Sequence, residues 1–153
     1  MNPKLYVPAL RLDDGQLLTE NVPVLQYVAD RNPAAKLAPP AGTMERYRLM
    51  EWLSFISSEI HKGFSPLFSA EATDEVKQYA QKELLKRLDY LQGTMGDKYL
   101  MGDQFTIADT YLFTVVGWGG EVGLELARWP KLQLHHSTVA KRPQVIAALA
   151  SEA

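Results

Sequence analysis

The chain has 153 residues, 46% of them hydrophobic and 22% charged, which is the composition of an ordinary globular protein of one domain or a small unit joined to a larger one. Its formal net charge of −2 and lack of any basic block argue against a nucleic-acid partner, and no apolar run approaches the ~20 residues of a membrane helix. The absence of cysteine removes disulfides, thiolate metal sites and a cysteine nucleophile within this chain; the start MNPKLYVPAL has no signal-peptide pattern, and a cytoplasmic address is the default expectation.

In chain order, Pro8-Ala9-Leu10-Arg11-Leu12 alternates, Asp13-Asp14-Gly15 turns, and Gln16-Leu17-Leu18 resumes an extended run. Asp-Gly between short apolar runs predicts a hairpin with a type I′ turn, which needs positive φ at both central residues. Asn21 is a suitable N-cap for a helix with Pro23 in its first turn, packing through Val24, Leu25 and Val28 and ending near Asn32-Pro33. Residues 32–43, NPAAKLAPPAGT, carry no helical stripe and are expected to be a linker. Beyond them the pattern is helical. Leu49, Leu53, Ile56 and Ile60 predict a helix over 44–62 with Gly63 as its stop. Thr73, followed by Asp74 and Glu75, caps a helix burying Val76, Ala80, Leu84, Leu88 and Leu91 and stopping at Gly93. A further helix starts at Thr106 and ends among the glycines from 117 to 123, and two shorter ones start near Pro130 and Pro143.

Five groups of residues carry candidate chemistry. Pro8 opens a strand; a cis Val7-Pro8 bond would let the neighbouring backbone meet a bound peptide, although such a proline is more often an edge or turn residue. Glu20-Asn21 stands where a strand gives way to a helix. The free N–H groups of that first turn suit a carboxylate and Glu20 suits an ammonium group, so together they could hold the two ends of an α-amino acid. The duller reading is a cap beside a solvated acid. Ser54, Ser58 and His61 form a polar stripe that faces either solvent or a cleft in which His61 exchanges or donates a proton; Lys62 beside it suits a helix C-terminus whatever its function. Phe105-Thr106-Ile107-Ala108-Asp109 is a capping-box variant in which Thr106 reaches the N3 amide and Asp109 reaches back, and its role is structural. Adjacent His135-His136 point about 100° apart with no acidic or sulfur residue nearby in sequence, so no metal is expected there.

The order of these motifs is more specific than any one of them. Asn2-Pro3-Lys4, Val7-Pro8-Ala9-Leu10, Asp14-Gly15, Leu18-Thr19-Glu20 and Gln26-Tyr27-Val28-Ala29-Asp30 resemble the second half of the thioredoxin-like domain of glutathione transferases. Glu51-Trp52-Leu53, Glu59-Ile60-His61-Lys62-Gly63-Phe64, the capping box and Arg142-Pro143 are similar to the helical domain of the bacterial beta class. The resemblance implies a mainly α protein: a partial thioredoxin-like hairpin plus helix over 1–31, a linker over 32–43, and an all-α helical domain over 44–153. It implies glutathione as co-substrate with no metal, a small hydrophobic electrophile, a homodimer and a detoxification role. Pro8 would be the family's cis-proline, and Val7 would bond the cysteinyl backbone of glutathione. Glu20 and Asn21 would hold its γ-glutamyl end, with His61, the catalytic candidate, and Lys62 near its thiol and glycine end. Thr106 and Asp109 would form the structural capping box.

Two substitutions depart from the family pattern: Leu5 stands where glycine is usual, and Asn21 where serine or glycine is commoner. The family's opening strand–helix–strand unit, of roughly 30 residues or more, would precede Met1, and the residue that addresses the glutathione sulfur belongs to it. Tyr6 matches no such position. On this reading the retained hairpin has an open edge that a second chain, exchanged elements or a rearrangement would cover, or else the sequence is a fragment of a longer protein. The alternative to a transferase is a module of the same fold that binds a ligand or dimerises without catalysis.

Overall fold

The computed structural model describes residues 2 and 4–152; Met1, Pro3 and Ala153 lie outside it, and with Pro3 goes the middle of the Asn2-Pro3-Lys4 run. Strands β1 (Ala9–Arg11) and β2 (Leu17–Thr19) pair antiparallel, with Leu10 opposite Leu18. Their connection differs from the expected two-residue turn. Only Gly15 takes positive φ (86°), Gly15 N–H donates to Leu12 O at 2.9 Å, and Leu12 N–H donates to Gln16 O at 2.8 Å. Asp13, Asp14 and Gly15 therefore make a three-residue loop with glycine in the left-handed position. Asp14 Oδ1 stiffens it by accepting from Gln16 N–H at 3.0 Å.

Helix α1 (Asn21–Arg31) directly succeeds β2, and its cap is Glu20 rather than Asn21. Glu20 sits at φ 73°, ψ 134°, outside the regions that non-glycine residues favour, and makes no side-chain cap bond. Ala29 is the buried contact of α1, with Val22 and Leu25 packed partly against the core. Val28 is half exposed, contrary to the expected packing face, because the two-strand sheet and the bundle cover only part of the helix surface.

The segment after α1 is tied down at several points. Pro33–Ala35 forms a 3-10 turn, Leu37 O accepts from Ile107 N–H at 2.9 Å, and Leu37 and Ala38 pack on the core. Arg46, almost fully buried, clamps the two sides: its Nη1 and Nη2 donate to Asp30 Oδ1 and Oδ2 at 2.7 and 2.8 Å, and Nη1 also reaches Pro39 O at 3.1 Å. The Arg46 guanidinium, by that hydrogen bond first, holds the Asp30 carboxyl below its ordinary value. Bidentate pairing of this kind fixes orientation as well as distance.

Helix α2 (Met44–Phe55) is capped by Thr43, whose hydroxyl accepts from Arg46 N–H at 3.2 Å. The chain then widens into a π turn (Ile56–His61) and continues as α3 (Lys62–Phe68). Gly63 is thus not a stop. It is helical, and a Cβ there would meet Leu84 Cδ1 at 3.2 Å, so its role is close packing of α3 on α4. Helix α4 (Asp74–Thr94) is capped by Thr73, passes through Gly93, and buries Ala80, Leu84, Leu88 and Leu91 at its core face; Val76, near its start, is exposed.

Helix α5 (Ile107–Gly117) is the centre of the bundle, and most of its side chains are buried. A 3-10 turn (Trp118–Val122) closes it, with Gly123 left-handed at φ 73°. Helix α6 (Pro130–Ala140) has no side-chain cap of its own, but Gln92 Oε1 on α4 accepts from Lys131 and Leu132 N–H at 3.0 and 3.4 Å. That cross-helix bond satisfies two amides that a helix start leaves free. Helix α7 (Pro143–Glu152) is the last element and lies largely exposed. The core joins Leu49, Leu53, Ile56, Leu88, Leu112 and Leu132 from five elements, each worth ~1.5–3 kcal/mol of burial.

Candidate functional site

A cleft of about 770 Å³ opens between the hairpin unit and the bundle. One wall is the loop Leu5–Pro8 with Glu20, Asn21 and Leu25; the other is Ser57, His61 and Lys62, with Thr110, Tyr111, Thr114 and Val115 of α5, Trp118 and Glu152. Val7, Glu20, Asn21, His61 and Lys62 thus converge on one space, although 54 positions separate Val7 from His61 (61 minus 7).

Local backbone explains how the first wall presents itself. The Val7-Pro8 peptide is cis, and Leu5 takes φ 57°, the left-handed region where glycine is at ease. Asn2 braces this loop, its Nδ2 donating to Tyr6 O at 2.7 Å and its Oδ1 accepting from Lys4 N–H at 3.1 Å. Val7 is 92% exposed, so its main chain is open to the cleft. Glu20 accepts from Lys4 Nζ at 2.5 Å, so an ammonium group already stands where the sequence suggested one would bind. The Lys4 hydrogen bond first, then the charges of Lys4 and Lys62, hold the Glu20 carboxyl below its ordinary value. Asn21 begins α1 and borders the same space.

The second wall departs from the stripe read off the sequence. Ser54 and Ser58 are exposed, Ser58 Oγ donates to Ser54 O at 3.0 Å, and it is Ser57 that lines the cleft beside His61. Ser57 stands four positions before His61 and so shares its face, within a π turn that fits an extra residue into this stretch of helix. His61 Nδ1 lies 2.7 Å from the hydroxyl of Tyr111, which is 5% exposed, and its ring packs edge-on against Tyr111 and Trp118 at centroid distances of 5.8 and 5.0 Å. Burial first, then the neighbouring Lys62 charge, pushes the His61 imidazole below its ordinary value. Past His61 and Trp118 a second hollow of about 460 Å³ continues between Phe64, Phe68, Ser65, Ser69 and Glu121.

Thr106 and Asp109 stand away from the cleft at the start of α5. The capping box forms, Thr106 N–H and Oγ1–H donating to Asp109 Oδ2 at 2.8 and 2.9 Å. Asp109 does more than cap. Its Oδ1 accepts from Leu100 N–H at 2.8 Å and from His135 Nε2 at 3.0 Å, with the Asp109 and His135 side chains fully buried. This corrects the expectation that His135 has no acidic residue near it: Asp109, 26 positions earlier, is brought there by the packing of α6 on α5. His136 stacks on Phe113 at 4.5 Å instead. Among the described residues no group of three or more His, Asp or Glu side chains is placed to hold a metal.

Ser57, Thr110, Tyr111, Thr114, Val115, Trp118 and Glu152 are among the cleft residues that sequence reasoning missed. No local motif singles out Tyr111 or Trp118, and only the approach of α5 and the turn after it to the π turn makes them neighbours of His61.

A hairpin and helix set against an all-helical bundle, with a cleft between them, is the architecture of a thioredoxin-like segment joined to a transferase helical domain. Residues 55–143 match the family model described as glutathione S-transferase, C-terminal domain. The chain is 43% identical to glutathione S-transferase GstA of Escherichia coli O157:H7 over 99% of its own length and 76% of that relative's. It superposes on a sphingomonad glutathione S-transferase complexed with glutathione with TM-score 0.93 at 44% identity, and on a bacterial beta class enzyme of Sphingomonas chungbukensis with TM-score 0.93 at 45%. In each of the two, 99% of this chain covers 76% of the other. The chain belongs to the glutathione S-transferase family, and its structural neighbours include a bacterial beta-class member.

Proposed function

We propose that this chain binds glutathione in the cleft between hairpin and bundle and takes part in transferring its thiol to a small hydrophobic electrophile. The observation that carries the reading is the convergence of Val7, Glu20, Asn21, His61 and Lys62 on one 770 Å³ space. In this assignment Val7 bonds the cysteinyl backbone of glutathione through its main chain. Glu20 and the first-turn amides at Asn21 take the ammonium and carboxylate of the γ-glutamyl end. Lys4, now on Glu20, gives way to that ammonium or shares the acid with it. Lys62 attracts the glycine carboxylate, and His61 donates a hydrogen bond to the sulfur, favouring its anionic, nucleophilic form. The electrophile lies toward Trp118 and the hollow lined by Phe64 and Phe68, where flat apolar surface is available.

The same proposal divides the chain into a glutathione-binding unit over 1–31, a connector over 32–43 and the helical domain over 44–153. It includes a cytoplasmic homodimer. Supporting the dimer, the outer face of α2 exposes Met44, Tyr47 and Met50, an apolar surface that a second copy would cover. Among the described residues no helix is long and apolar enough to cross a membrane.

Conjugation of a chloronitrobenzene by the purified chain tests the reading, alongside its melting temperature with glutathione. At 100 times its dissociation constant glutathione should add about 2.7 kcal/mol of stability. His61→Ala should lower the conjugation rate about tenfold or more, the loss of one sulfur-directed hydrogen bond. Stabilisation by glutathione without conjugation would point to a non-catalytic binder. No stabilisation at millimolar glutathione would refute the reading.

A further inference from the structure

We propose that Tyr111 is a positioning residue that fixes His61 in the tautomer carrying its proton on Nε2, turned toward the cleft. The geometry is the 2.7 Å contact between the Tyr111 hydroxyl and His61 Nδ1, made by residues 50 positions apart on α5 and the π turn. Tyr111 is 5% exposed, and among the described residues its hydroxyl has no other hydrogen-bond partner. A buried O–H needs an acceptor, and His61 Nδ1 is the one within reach. In the proposed arrangement the hydroxyl donates to Nδ1, which is then the unprotonated nitrogen, and the ring's single N–H is at Nε2.

The ring is held by two residues. Tyr111 bonds its Nδ1, and the rings of Tyr111 and Trp118 stand edge-on to it at 5.8 and 5.0 Å. Tyr111 is in turn placed by the start of α5, which the Thr106–Asp109 box and the Asp109–His135 bond anchor. The neighbouring charges are Lys62 on the same stretch of helix, Glu121 in the adjoining hollow, and Glu20 and Glu152 across the cleft. Burial together with Lys62 disfavours the imidazolium, in the same direction as a hydroxyl donating to Nδ1. His61 is thereby preset as a neutral Nε2–H donor. Its use toward a thiolate rests on the proposed function above, but its tautomer does not.

The test is ¹⁵N NMR of the imidazoles of the full chain without ligand near pH 8, with the His61 signals assigned from a His61→Asn variant. The expected wild-type spectrum has Nδ1 unprotonated and Nε2 protonated, with no admixture of the other form. Tyr111→Phe should shift His61 toward the mixture of tautomers found in free imidazole and raise its protonation midpoint. A wild-type His61 protonated on Nδ1, or a Tyr111→Phe spectrum identical to wild type, overturns the proposal; the first outcome needs no variant to fold. In conjugation assays Tyr111→Phe should cut kcat about tenfold, equivalent to 1.36 kcal/mol, with KM for glutathione nearly unchanged. Added glutathione should move the wild-type Nε2 signal. A fixed tautomer that ignores glutathione would sink the reading of the cleft while upholding the hold of Tyr111 on His61.

Discussion

Asp109 offers the sharpest quantitative test of how this fold is held. Its carboxylate is fully buried and accepts four hydrogen bonds, from Leu100 N–H, Thr106 N–H, Thr106 Oγ1–H and His135 Nε2. Asp109→Ala leaves three donors, those of Leu100, Thr106 and His135, buried without acceptors, while the Thr106 hydroxyl can rotate away. At about 1–3 kcal/mol for each orphaned group, less what relaxation recovers, the loss is about 4–6 kcal/mol. A chain of this size has about 5–15 kcal/mol in total, so Asp109→Ala should be largely unfolded or insoluble at 37 °C.

Asp109→Asn is the more informative variant. It keeps the volume and one oxygen but turns an NH₂ toward a donor, at a cost of about 2–3 kcal/mol. Urea unfolding monitored by tryptophan fluorescence reads this directly. With a slope of about 2 kcal/mol per molar, the midpoint should fall by about 1–1.5 M. Thr106→Val, losing only the hydroxyl bond, should cost about 1 kcal/mol. Asp109 and His135 should also show coupling of about 0.5–3 kcal/mol in a double-mutant cycle. A midpoint for Asp109→Asn within about 0.3 M of wild type, less than 1 kcal/mol on the same slope, would refute the reasoning. It would mean that the helix cap is dispensable and the carboxylate bonds contribute little.

Asp30→Ala strands the buried Arg46 guanidinium with Pro39 O as its remaining acceptor; thermal unfolding should report a loss of about 2–3 kcal/mol, and Asp30→Glu should restore part of it. Gly96→Ala would drive a Cβ into Tyr99 O and set it 2.8 Å from Gly102 N, both backbone atoms, so it should cost at least about 1–3 kcal/mol by thermal unfolding and weaken the turn that delivers Leu100 N–H to Asp109. The pH dependence has a definite sign. His61 and His136, each chiefly through burial, have imidazoles below their ordinary value, so between the folded midpoint and about 6.5 the unfolded chain binds more protons. Stability should therefore rise with pH up to about 6.5 and owe nothing further to these groups above it. Urea midpoints at pH 5.5 and 7.5 check this, and the difference should shrink in His61→Gln; a midpoint that is higher at pH 5.5 would contradict it.

Much of the architecture was legible in local sequence because the signals are short-range. Thr73 and Thr106 cap α4 and α5 as their local motifs indicate, and the apolar spacing of Leu49, Leu53, Ile56 and Ile60 and of Leu84, Leu88 and Leu91 is that of buried helix faces. The motif order supplied the family, and the hairpin, the helix after it and the helical remainder all appear in the structure. Local signals misled where one residue had two uses. Gly63 reads as a terminator but serves as the gap into which Leu84 packs. Asn21 reads as a cap, but the chain starts its helix one residue earlier through the strained backbone of Glu20.

What the sequence determined by itself is most of the elements, though not the π turn or α3 beyond it, many of their ends to within a residue or two, and the residues able to carry chemistry. These depend on interactions spanning four or five positions, which composition and spacing encode directly. The tertiary structure alone decided who meets whom. Hydrogen bonds between Arg46 and Asp30, His135 and Asp109, and Tyr111 and His61 span 16, 26 and 50 positions, and nothing periodic in the chain pairs them. The π turn interrupts the regular helical pattern, and the cleft takes Ser57, four positions before His61, while Ser54 and Ser58 stay exposed. Packing of α5 against that turn then makes a core tyrosine the partner of His61.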